Sequence, residues 1–362
     1  MPAFLAGIEL NRRFYGEVVR SLLDAAFPAL PYAAALLGSG SEVLGFDTAM
    51  SMDHDWGLRL LLLLRDGDAD RADPIRQHLS RHLPSRFLGY PVYGAERSEE
   101  GAADWHAHTT HGHLKCSVVP ATLHRFLRLQ FGDGFEQPLR VVDWLTIPSQ
   151  ALREVTDGAV YHDGAGELTA LRASLAWYPH DVWLYLLASG WQRIGQEEHL
   201  MPRAGFAGDE LGSALIGSRL IRDVMQLGFL MERCYAPYPK WLGTAFRQLR
   251  CAKELYPALW RAQRAATWQE REATLADAYA TLARMHNALS ITEHMPEGVS
   301  AFYDRPFRVI HGEAFAAALA ARISDPEVKR IATAGLIGNI DQISDNTDVR
   351  GRGNPRLRQL YE

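Results

Sequence analysis

The sequence predicts an α+β fold, a small mixed-sheet domain followed by a helical bundle, on three observations. Hydrophobic residues make up 47% of the 362-residue chain and aromatic residues 10%, enough to bury a substantial core. Up to Pro148, apolar runs of strand length alternate with helically spaced segments, the pattern of a mixed α/β layer. Beyond it, amphipathic stretches with leucine and aromatic stripes take over, as in packed helices. The expected organisation is a mixed domain over 1–148, a helical domain over 149–350 and a loose, polar, basic tail over 351–362.

Leu10, Phe14, Val18 and Leu22 recur at helical spacing and predict a helix over 10–26, stopped before Pro28. Residues 32–37 form a short apolar run ended by Gly38, read as a buried strand, and 41–46 has room only for a brief helical turn. Residues 53–64, ending in LRLLLLL, are read as the next strand, and 74–83 as a helix with Pro74 in its first turn. Residues 111–119 alternate weakly and end at Pro120, which predicts a strand, with a helix over 121–129 behind it. YHDGAGEL, 161–168, reads as a hairpin-like or helix-entry loop. Helices are then expected over 181–198, 209–235, 240–249, 267–289, 311–323 and 326–337.

The formal net charge is −5, so no global basic field draws in nucleic acid, which is not an expected partner. LRLLLLL is too short to span a bilayer, and MPAFLAGIELNRRF carries acid and base too early for a secretory leader. Cys116, Cys234 and Cys251 lie far apart without metal-ligand spacing, in keeping with a reducing cytosol. A cytoplasmic protein with no membrane partner is expected; association into a homo-oligomer is left open.

The most informative stretch is LLGSGSEVLGFDTAMSMDHDWG, 36–57. A strand ending in Gly38-Ser39 before a short turn exposes backbone N–H groups that suit phosphate oxygens, with Ser39 and Ser41 as hydroxyl donors. Read on a strand, Asp53 and Asp55 share a face while His54 points away. Two neighbouring carboxylates repel unless a cation lies between them, and oxygen ligands with open positions suit Mg²⁺ or Mn²⁺. A Gly-Ser turn alone is common and a lone Asp-x-Asp is usually a solvated loop; the combination is what points to phosphoryl or nucleotidyl transfer.

The GS turn followed by DHD resembles the signature of the polymerase-beta-like nucleotidyltransferase superfamily. TDGAVYHDGAGELTALR, YPHDVW, GDELGSALIGSRLIRDVM, YAPYPKW and DQISDNTDV look like segments of an uncharacterised bacterial domain family that carries this core. The layout is also similar to kanamycin nucleotidyltransferase and the minimal nucleotidyltransferases. The resemblance implies ATP or another NTP bound through Gly38 and Ser39, with Asp53 and Asp55 holding the metal. An acceptor hydroxyl on a small molecule would attack the α-phosphate and release pyrophosphate.

Many superfamily members place a third acid on a later strand, where HGHLKCSVVP offers Lys115 and Ser117 instead. Asp143 is one candidate for it; Glu198 and Asp209, in the helical part, are others, Asp209 being equally an N-cap. Lys240, beside Tyr238 and Trp241, is a candidate triphosphate contact or an exposed cation on aromatic packing. Arg219 and Arg222 either reach phosphate or pair with Asp223 or Glu232. His106, His108, His111 and His113 have chelating spacing but no cysteine among them, and polar loops often carry histidine. Asp341, Asp345 and Asp348 lack the glycine and closing glutamate of a calcium loop and read as turn and cap chemistry. Beside a small-molecule acceptor, two alternatives stand: a protein or RNA end as acceptor, and a catalytically silent nucleotide-binding or scaffold protein.

Overall fold

The computed structural model describes residues 2–53, 56–94, 115–351 and 353–362. The chain forms two compact units. One comprises Met1–Glu136, Ala151–Ala176 and Arg352–Pro355; the other comprises Gln137–Gln150, Trp177–Gly351 and Arg356–Glu362. The fold is α+β.

The first unit is built on a four-stranded mixed sheet. Its strands are β1 (Tyr32–Leu36), β2 (Leu60–Leu64), β3 (Val118–Thr122) and β4 (Ala159–Asp163), in the order β3-β2-β1-β4. The central strands read YAAAL and LLLLL and are buried throughout, which is why they show no polar alternation. β1 runs antiparallel to β2, with Tyr32 opposite Leu64 and Ala35 opposite Leu61; β3 is parallel to β2 and β4 antiparallel to β1. Tyr32 and Ala34 of β1 join Leu60, Leu62 and Leu64 of β2 in one core cluster. Leu10, Phe14, Val19 and Leu23 of the N-terminal helices and Ile75 and Leu79 of helix Ala72–His82 belong to the same cluster. The helical spacing of the N-terminal segment and the period-two spacing of the strands therefore serve one apolar layer.

The helix expected over 10–26 is present and starts earlier, as Gly7–Phe14, a π-helical stretch Tyr15–Val19 and Arg20–Ala26. Two expectations need correction here. The strand expected from Asp53 begins only at Leu60, because Asp53 closes the 3-10 helix Ala49–Asp53. The first three residues of YHDGAGEL are the end of strand β4, and Gly164 N–H just beyond it is bonded to the Tyr32 carbonyl; the helix-entry reading holds for the rest, where Gly166 opens helix Glu167–Ser174. The sheet thus takes its fourth strand from the part expected to be helical.

The second unit packs helices His180–Glu197, Glu210–Met231, Ala252–Arg264, Trp268–Ala288 and Gly312–Ala320 around Trp183, Tyr185, Trp191, Phe229, Phe246 and Phe315, all at most 2% exposed. Helix Ala252–Arg264, with Pro257 inside it, and the hairpin Ser300–Phe302/Arg305–Val309 were not expected. In the tail, Pro355–Leu360 forms a 3-10 helix, Tyr361 is buried and Arg358 meets Asp143 at 2.7 Å. Among the described residues no helix is long and apolar enough to cross a membrane.

Candidate functional site

The strand directions bring four chain segments to one end of the sheet of the first unit. β1 ends there, and β2, β3 and β4 all begin there, as Leu36 opposite Ala159 and Leu60 opposite Val118 require. The turn 38–45 sits at this end. Gly38 (φ 90°) donates its N–H to the Glu154 carbonyl at 2.8 Å, so this N–H is not available to a ligand. Among the described residues, the N–H groups of Ser39, Gly40 and Ser41 meet no protein acceptor. Phe46 N–H closes the turn onto the Ser41 carbonyl at 2.8 Å, and Gly158 N–H pins it through Val43 O at 2.9 Å.

A buried ion pair lies against this turn. Arg59 Nε is 2.9 Å from Glu42 Oε1, the glutamate side chain being 1% exposed, and Arg59 Nη2 donates to the Ser39 carbonyl. A Cβ on Gly40 (φ 135°) would come within 2.6 Å of Glu42 Oε2 and 2.8 Å of Arg59 Nη2. Only glycine suits both that backbone and that contact.

The segment leading to the acids is tied to the turn and to the first helix. Ser41 Oγ donates to Ser51 Oγ at 3.3 Å, and Thr48 N–H donates to the same oxygen at 3.1 Å. Asp47 Oδ2 accepts from Gly7 N–H at 2.7 Å and from Trp56 Nε1 at 2.9 Å, bracketing the stretch that carries Asp53. On the far side, Asn11, fully buried, donates to Gly57 O at 3.0 Å and accepts from Arg59 N–H at 2.8 Å. These backbone groups therefore pair with a side chain rather than with a neighbouring strand, which is why β2 starts late. Asp53 ends a 3-10 helix rather than opening a strand, so the strand premise of the alternating-face argument does not hold at Asp53. Asp55 lies outside the described residues, as do His106, His108, His111 and His113.

The remaining candidates lie in the second unit, and the structure gives most of them a structural partner. Asp143, 1% exposed, accepts from Arg140 N–H at 3.0 Å in a capping box and pairs with Arg358. Asp209 is the N-cap of helix Glu210–Met231, accepting from Gly212 N–H at 2.7 Å. Glu198 accepts from Ile310 N–H at 2.5 Å and Gly312 N–H at 3.0 Å; burial pushes its carboxyl up to about 7 against those bonds. Lys240 is exposed in the first turn of helix Pro239–Phe246, its Nζ 5.1 Å from the Trp241 ring centroid. Arg219 pairs with Glu197 at 2.8 Å, and Arg222 with Asp345 at 2.8 Å and more distantly with Asp223. Asp341 is buried against Arg350 at 3.1 Å.

Four residues of the first-unit site were missed from sequence: Arg59, Glu42, Asn11 and Asp47. Arg59 carried a readable signal, being the one charge inside LRLLLLL. Among the described residues, no group of three or more His, Cys, Asp or Glu side chains is placed to hold a metal ion; the Asp53 side chain and Asp55 fall outside that statement.

A family model described as a domain of unknown function, DUF4037, matches residues 144–242. No curated protein matches the chain. Among solved structures, a nucleotidyltransferase-like protein from Exiguobacterium sibiricum 255-15 is similar at 12% identity and a TM-score of 0.34, covering 77% of this chain and 75% of that one.

Proposed function

We propose that the first unit binds ATP or another NTP with Mg²⁺ or Mn²⁺, and that the protein transfers the NMP to a hydroxyl of a small molecule. What carries the reading is the turn at the end of β1. Three successive N–H groups lack a protein acceptor among the described residues, and Ser41 ties them to the stretch bearing Asp53. Consecutive N–H groups on such a turn suit phosphate oxygens. The GS…DHD signature supports the same assignment from sequence.

Asp53 and Asp55 are hard oxygen donors, the kind Mg²⁺ takes together with phosphate oxygens, and they are the residues that would hold the metal. When bound, the metal neutralises charge at the reacting phosphate. The chain's own part is positioning. The turn N–H groups hold phosphate oxygens, with Gly40 letting Glu42 and Arg59 pack against the turn. Arg59, paired with Glu42 and donating to the Ser39 carbonyl, braces the turn from within. Asn11 and Asp47 keep the acid segment in place. In the reaction the acceptor oxygen bonds to the α-phosphorus as the bond to pyrophosphate breaks.

The test is pyrophosphate release by the whole protein with Mg²⁺, each common NTP and a broad mixture of hydroxylated small molecules. Release by wild type that Asp53→Asn/Asp55→Asn abolishes is expected; release that survives the double change refutes the assignment. A second reading, nucleotide binding without transfer, is favoured by one observation: Asp143 and Asp209 are engaged in a cap or an ion pair, and Glu198 accepts two backbone N–H groups. Saturable NTP binding with no pyrophosphate from any mixture distinguishes it.

A further inference from the structure

The net charge of −5 conceals a local excess of the opposite sign. Between Arg233 and Arg264 the sequence has seven Lys or Arg residues and one acid, Glu254. Most of this segment forms helices Pro239–Phe246 and Ala252–Arg264 of the second unit. In the second of these, Leu255, Ala258, Leu259 and Ala262 supply the buried side. Lys253, Tyr256, Trp260 and Arg264 recur at intervals of three or four residues and so share one stripe. Lys253 and Arg264 are exposed, as is Arg247 at the end of the preceding helix, and Trp260 keeps 52% of its surface in solvent.

Neighbouring carboxylates do not consume this charge. Glu254 pairs with Arg284 at 3.3 Å, Arg250 with Glu232 at 3.2 Å and Arg261 with Asp277 at 3.7 Å. Among the described residues, Arg247, Lys253 and Arg264 meet no carboxylate. Two of them lie over aromatic rings instead: Arg247 is 6.0 Å from the Tyr256 ring centroid and Arg264 5.8 Å from that of Trp260.

We propose that this stripe binds single-stranded RNA, with phosphates on Arg247, Lys253 and Arg264 and bases stacked on Tyr256 and Trp260. Cations without counter-charges on one face repel each other, and a polyanion relieves that repulsion. The interleaved rings narrow the choice of polyanion. Unpaired bases stack on aromatic side chains and on guanidinium planes, whereas a duplex keeps its bases inside and offers such a face only phosphate. RNA is the polymer that presents loops and ends with splayed bases. From Lys253 to Arg264 the stripe spans about 16 Å, room for roughly five stacked nucleotides of one strand. A lipid surface fits less well, because it asks for a broad apolar face. Here Trp260 is the one large apolar side chain strongly exposed between Arg233 and Arg264.

The inference is independent of the NMP-transfer reading, and its test uses neither NTP nor metal. A fluorescein-labelled oligouridylate of about twelve nucleotides is titrated with the full chain by anisotropy over a range of salt concentrations. Saturable binding is expected. Changing Arg247, Lys253 and Arg264 together to Gln should weaken it about tenfold or more and lower the slope of log affinity against log salt by about two. Trp260→Ala should weaken it about tenfold with that slope unchanged, and Trp260→Phe should restore most of the loss. All four side chains are exposed, so the variants should melt with wild type. In cells, nucleic acid cross-linked to the protein by ultraviolet light should be removed by RNase and not by DNase. The proposal is overturned if the oligomer does not bind, if the triple change or Trp260→Ala leaves its affinity intact, or if a duplex RNA of the same length binds as tightly. Binding of phosphatidylserine vesicles or of an acidic peptide in place of RNA, or cross-linked material removed by DNase alone, overturns it as well.

Discussion

Replacing Glu198 by glutamine should change how the stability of the second unit depends on pH. Glu198 is 3% exposed, and burial raises its carboxyl from 4.5 to about 7 despite the N–H groups of Ile310 and Gly312. Because the folded protein holds that proton more tightly than the unfolded chain, the contribution is full below pH 4.5 and lost as pH rises through 7. A displacement of that size corresponds to about 3 kcal/mol. His286 works in the opposite sense. It is buried between Trp191 and Phe315, with Nε2 2.8 Å from Thr292 Oγ1, and burial lowers it from 6.5 to about 4. Its contribution is present above pH 6.5 and lost as pH falls towards 4, again by about 3 kcal/mol. Over pH 4.5–6.5 the two slopes oppose each other in wild type. Urea unfolding of wild type and Glu198→Gln at half-unit steps from pH 4 to 8 isolates the glutamate. The stability of the variant relative to wild type should climb by about 3 kcal/mol from pH 4.5 to above 7, on top of a constant offset for the changed hydrogen bonds. Parallel curves would refute the argument and return Glu198 to consideration as a solvent-accessible base.

Two further substitutions probe the site of the first unit. Gly40→Ala places a methyl group against Glu42 and Arg59 on a backbone at φ 135°, and should cost about 1–3 kcal/mol in chemical denaturation. It should also weaken NTP binding about tenfold or more; unchanged affinity would separate the turn from the ligand. Asn11→Ala leaves Arg59 N–H and Gly57 O without their buried partner and should cost about 2–3 kcal/mol, measured by the urea midpoint. A loss below about 0.5 kcal/mol would mean that water replaces the amide.

The sheet core was legible where the chain is monotonous. YAAAL and LLLLL are short apolar runs of strand length and are strands buried on both faces, and the helical spacing of Leu10 and Phe14 belongs to a helix packed in the same core cluster. β4 was not legible, since VYHD lies between two glycine-containing turns and becomes a strand only through long-range pairing with β1. Asp53 was misplaced for a related reason. The residues that hold its segment off the sheet, Asn11 and Asp47, act through side-chain bonds to distant backbone that no local pattern reveals. The turn itself was readable from Gly38 and Ser39, but its brace was not, because Arg59 and Glu42 are separated by sixteen residues of intervening chain. The helical unit's acids illustrate the converse. Asp209 carried the local signature of an N-cap and is one, whereas Asp143 meets Arg358 only because the tail folds back within that unit.

Calorimetric titration of ATP into the whole protein, with and without Mg²⁺, tests the central assignment most directly. Saturable, magnesium-dependent binding that Asp53→Asn/Asp55→Asn abolishes is the result expected of a phosphate-holding turn beside a metal-holding acid pair. Failure of every common NTP to bind, or affinity indifferent both to magnesium and to the double substitution, would contradict it.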